Sequence, residues 1–69
     1  MKFGGVIRMI EHQIDDFQDS IGELEWLLNN PDEIREWTSA EEIKKDILDY
    51  TDNIMQCKFA IAILKETEN

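Results

Sequence analysis

Two runs of apolar residues keep an alternating spacing of three and four: Ile7, Ile10, Ile14, Phe17, Ile21, Leu24, Leu28, and then Ala40, Ile43, Ile47, Tyr50, Ile54, Cys57, Ile61, Leu64. No charged residue interrupts either run. Positions spaced this way fall on one stripe of a helix, which must be buried against a second helix to leave water. The pattern predicts a first helix over about 5–29 and a second over about 39–66.

Between the two runs, Asn29-Asn30-Pro31 ends the first helix, since proline cannot continue the hydrogen-bond ladder and biases its predecessor away from helical geometry. Asn30 is placed to cap a short connector helix over about 31–37, with Pro31 at its first position and Asp32 and Glu33 against the positive end of its dipole. Ile34 and Trp37 are expected to turn inward as a lid. Two overlapping capping boxes, Thr38-x-x-Glu41 and Ser39-x-x-Glu42, open the second long helix. Two long helices of matched length with a short connector predict an all-α fold, an antiparallel helical hairpin forming a single domain over 1–69.

Length then changes the picture. A lone hairpin of 69 residues leaves much of its surface wet, and burial along one seam falls short of the cost of ordering the chain. The second helix shows where further apolar surface could be covered. Leu48, Met55, Phe59, Ala62 and Ile63 lie away from its seam, and between Ile54 and Leu64 the only polar residues are Gln56 and Lys58. A helix that is apolar around most of its circumference is one surrounded by other helices. The back of the first helix carries Glu11, Asp15, Asp16, Asp19, Glu23 and Glu25 instead. The expected assembly is therefore a homo-oligomeric helical bundle, a homodimer or a higher symmetric oligomer, with the second helix inside and the first outside.

Charge and cysteine content narrow the functional classes. Sixteen Asp and Glu against seven Lys and Arg give a net charge of −9, which repels nucleic-acid phosphate and disfavours anionic membranes. Neither direct nucleic-acid binding nor membrane association is expected. The acidity serves either solubility or docking on a basic partner. Cys57 is the only cysteine, so an intrachain disulfide is impossible, and its seam position reads as a small buried hydrophobe in a reducing compartment. Residues 1–5 lack the apolar core of a signal peptide, and the longest apolar stretch, Phe59 to Leu64, is too short to span a bilayer. A cytoplasmic location is expected.

Candidate chemistry is sparse. His12 has Arg8 one turn before it and Asp15 and Asp16 one turn after, but two ligands do not make a metal site, and the Glu-x-x-His motif of di-iron bundles is missing. Glu33-x-x-Glu36, followed by Asp46, Asp49 and Asp52, resembles the acidic clusters of the all-α nucleotide pyrophosphohydrolases, which hold magnesium; that likeness implies a magnesium-dependent hydrolase. Against it, the first pair falls in the connector, and the three aspartates point away from the seam where converging carboxylates would be needed. No cofactor, metal or catalytic residue is expected. Gly22 and Trp26 lie outward on the first helix, where bare backbone beside a large aromatic can accept a partner, or where Trp26 instead packs beneath the connector against Trp37. With Asp15, Asp16 and Asp19 they form the candidate partner-binding face. Leu48, Met55, Phe59, Ala62 and Ile63 form the candidate oligomer interface.

In outline the chain resembles the plasmid copy-control Rop proteins, short acidic hairpins that dimerise through heptad seams. The likeness covers the two long helices and stops at RNA binding, because the first helix presents carboxylates where cations would be needed. In being small, acidic, helical and free of motifs, it also resembles phage-encoded proteins that disable host machinery, such as anti-CRISPR proteins and the helical anti-CBASS nucleotide sponges. The stretch DNIMQCKFAIAILKE over 52–66 is similar to the last long helix of those sponges. These likenesses imply a non-enzymatic inhibitor from a phage or mobile element that docks an acidic surface on a basic host protein. Alternatives from other classes are a sponge that holds a small anionic ligand such as a cyclic nucleotide between protomers, and a structural oligomer without ligand.

Overall fold

The computed structural model describes residues 3–36 and 38–68, and within them the chain is a pair of long helices, α1 (Gly4–Asn29) and α2 (Ala40–Glu68). They run antiparallel. Phe17 and Tyr50 meet with ring centroids 5.6 Å apart, and Ile10 near the start of α1 shares a depression with Cys57 and Ala60 near the end of α2. The hairpin measures 50 × 17 × 15 Å, one helix pair thick along its whole length.

Fourteen of the fifteen periodic positions are buried or half-buried, so the seam forms where the 3,4 spacing places it. Only four of them are buried rather than half-buried: Ile7, Ile14, Ile43 and Ile54, of which Ile43 is the most enclosed at 2% exposure. β-branched isoleucine suits this role because its restricted rotamers lose little freedom on packing. Phe17 against Tyr50 fills the middle of the seam, tilted by 39°. Ala40 is the exception and is exposed. It is the first residue of α2, at the connector end of the pair, where the seam has run into the last turn of α1.

The connector is shorter than the periodicity and capping signals predict. A single 3-10 turn, Pro31–Glu33, replaces the expected helix over 31–37, and Ile34 is extended with φ −74° and ψ 124°. Asn30 also acts in the other direction. Its backbone N–H donates to the Leu27 carbonyl at 3.1 Å and its side-chain Nδ2 donates to the Trp26 carbonyl at 2.8 Å. Its N–H and side chain therefore satisfy carbonyls left open at the end of α1, while its own carbonyl accepts the Glu33 amide of the turn that follows at 2.9 Å. Ile34 is half-buried as expected of an inward residue, while Trp37, the other half of the expected lid, lies outside the described residues.

At the start of α2 half of one of the two overlapping boxes forms. The Glu42 amide donates to Ser39 Oγ at 3.2 Å and the Ile43 amide to the Ser39 carbonyl at 3.0 Å, which makes Ser39 the N-cap. The Glu42 carboxylate accepts a bond from the Thr38 hydroxyl at 3.2 Å, in place of the Ser39 amide that would close the box. Glu41 and Glu42 in the first turn and Lys65 in the last match the helix dipole. The first turn of α1 contains no acidic residue, and the helix starts on two glycines.

Candidate functional site: the outer faces of the two helices

Because α1 covers only one side of α2, the side opposite is open. Leu48, Met55 and Phe59 are 66%, 63% and 69% exposed, Ile63 is 47% exposed, and Ala62 is exposed beside them. In a regular helix these positions share one face. The expected oligomer-interface residues thus form one uncovered strip on a single element. The strip is not wholly apolar, since Asp52 falls within it, four residues after Leu48 and three before Met55.

Exposure of scattered apolar residues is ordinary, so the total surface has to decide whether this strip is unusual. The chain exposes 5604 Å², whereas a compact monomer of 8.1 kDa exposes about 4,500 Å² by the usual scaling with mass, an excess of about 1,100 Å². Its radius of gyration is 15.6 Å against about 11 Å for a compact globule of this length. The excess is comparable to the roughly 800 Å² that each partner buries in a standard interface.

Sequence periodicity missed one part of the open apolar surface. Val6 and Met9 of α1 are exposed, and with Ile10, His12 and Gln13 they line a shallow apolar depression. They sit one position from Ile7 and Ile10, off the seam, so a search for the main stripe passes over them. Counting apolar residues per turn rather than per stripe would have found them.

The outer face of α1 has the opposite chemistry. Glu11, Asp15, Asp16, Asp19, Glu23 and Glu25 are all exposed. Around Gly22 a side-chain methyl would meet nothing within 4 Å, so the bare backbone opens to solvent. Trp26 is exposed and contributes to a depression at the connector end with Leu27, Glu33, Arg35 and Thr38. Its packing against Trp37 lies outside the described residues. Asp15, Asp16, Asp19, Gly22 and Trp26 are thus all accessible on α1.

The other candidates stay apart. His12 is exposed, as are Glu33 and Glu36 in the connector and Asp46, Asp49 and Asp52 on α2. Among the described residues no three His, Cys, Asp or Glu side chains are grouped to hold a metal ion. Cys57 is a free thiol, half-buried at the edge of the seam in an open depression with Gln13, Asn53 and Gln56. No described helix is long and apolar enough to cross a membrane. What these faces offer is contact area and charge. No family model, curated protein or solved structure matches the chain.

Proposed function

We propose that this protein is a non-enzymatic binding module that works as a homo-oligomer, burying the outer strip of α2 between copies and presenting the acidic face of α1 to a basic partner protein. The uncovered strip of α2, on a chain with about 1,100 Å² more surface than its mass calls for, carries this reading. Association through α2 removes that surface from water and leaves the carboxylates of α1 on the far side of each hairpin, where like charges of two copies are kept apart. The partner-facing surface then combines charge with the exposed Trp26, an aromatic of the kind enriched in interface hot spots. A small acidic binder of this kind fits the role of a phage or mobile-element inhibitor acting on a basic host protein.

Sedimentation equilibrium at micromolar concentration tests the first half, with a dimer or higher oligomer expected. A compact, cooperatively melting monomer at that dilution overturns the reading. For the second half, the tagged chain is compared with a variant carrying Asp15→Lys, Asp16→Lys and Asp19→Lys in capture from its native host. The expected result is a basic protein retained by the first and lost by the second at unchanged helicity. Equal retention by both removes the acidic face from the proposal.

A further inference from the structure

The outer strip of α2 has opposite charges at its two ends. Continuing the 3,4 spacing of Leu48, Met55, Phe59 and Ala62 outward adds Lys45 at one end and Glu66 at the other, ten and eleven residues from Met55, and both are exposed. A surface with a cation and an anion placed evenly about an apolar centre is complementary to itself under one particular two-fold rotation.

Two arrangements of a symmetric α2 pair are possible. With the two-fold axis along the helices every residue meets its own counterpart, so Lys45 meets Lys45, Asp52 meets Asp52, Glu66 meets Glu66, and Glu41 one turn earlier meets Glu41. That places four like-charge contacts along one interface between chains that already carry a net charge of −9 each. With the axis perpendicular to the helices beside Met55, Lys45 of one copy meets Glu66 of the other, Leu48 meets Ile63, and Asp52 lies beside Phe59. The two Asp52 carboxylates are then about seven residues apart along the interface, or roughly 10 Å, instead of directly opposed.

Resting on the homo-oligomer reading above, we infer that a second copy of this chain docks on the outer face of α2 with its own α2 antiparallel, the two-fold axis passing beside Met55, so that Lys45 of each copy pairs with Glu66 of the other. The strip supplies the apolar centre and the excess surface supplies the area. The ion pairs choose the direction.

Cysteine cross-linking reads the direction, with Cys57→Ala as the background so that only the introduced thiol reacts. Met55→Cys sits beside the axis and is expected to give a disulfide-linked dimer on mild oxidation. Leu48→Cys is expected to stay unlinked to itself, because the two copies of position 48 lie about 22 Å apart along the helices, at 1.5 Å per residue, whereas a disulfide needs Cα atoms within about 7 Å. Mixed with Ile63→Cys it is expected to form a 48-to-63 link. Efficient linking of Leu48→Cys to itself, or failure of Met55→Cys to link in a chain that sediments as a dimer, overturns this arrangement and leaves the homo-oligomer reading standing. A monomer in sedimentation overturns both. Lys45→Glu and Glu66→Lys are each expected to weaken dimerisation several-fold, and the two together to restore it. A double variant as weak as either single one rejects the pairing.

Discussion

The two long helices are nearly equal in length, 26 residues for α1 and 29 for α2, and they share one seam, yet their outer faces are chemically opposed. Behind the seam α1 carries a belt of carboxylates, and α2 carries a second line of apolar side chains. A helix with one apolar stripe is satisfied by one neighbour, and a helix with two needs two. The hairpin supplies α2 with only the first. In the function proposed above, the difference gives the helices separate work, with α2 as the element that would build an assembly and α1 as the element that assembly would display. It also explains how so acidic a chain could associate with itself, since its carboxylate belt and its apolar strip are on different helices.

The largest expected effect comes from breaking what the two helices share. Ile43→Ala empties the most enclosed position of the seam and should cost about 2–5 kcal/mol, measured as a fall in the denaturation midpoint. Next comes the test of how the outer faces differ. Phe59→Ala on α2 is expected to weaken self-association by about 30-fold, corresponding to a hot-spot loss of about 2 kcal/mol, whereas Asp19→Ala on α1 should leave it within about threefold. Equal effects in sedimentation would erase the distinction drawn between the helices. The contrast in capping is smaller. Ser39→Ala removes the acceptor of the Glu42 amide and should lower stability by about 1 kcal/mol, read from thermal melting. At the bottom of the scale Gly22→Ala should stabilise the protein by about 0.5–1 kcal/mol, because the methyl enters open space and glycine is a poor helix former. A loss of stability there would show that the outer face of α1 is covered by something that needs the bare backbone.

The seam was legible because isoleucine, leucine and aromatic residues at alternating intervals of three and four admit one burial geometry. The ends of the helices were less so. Asn30 is suited both to ending one helix and to starting the next, and local pattern does not rank those uses; the structure has its side chain reach back to the Trp26 carbonyl. Pro31, Asp32 and Glu33 begin a helical turn as their types suggest, but Ile34 is half-buried and extended, and its β-region backbone ends the turn there. Ala40 belongs to the stripe by spacing and to the surface by position, as the first residue of α2 at the connector end of the pair. Val6 and Met9 show the reverse case, apolar residues that no stripe predicts and that the narrow contact between two helices leaves uncovered.

What the order of residues determined by itself was the helical character of both halves and the line along which they meet, because helix periodicity and apolar burial act through neighbours three and four positions apart. What required the tertiary structure was how little that line encloses. Two cylinders touch along a narrow contact, so only four side chains among the described residues are buried and the second strip of α2 stays in water. Burial depends on the surfaces facing a residue, and those are known only once the helices are placed against each other.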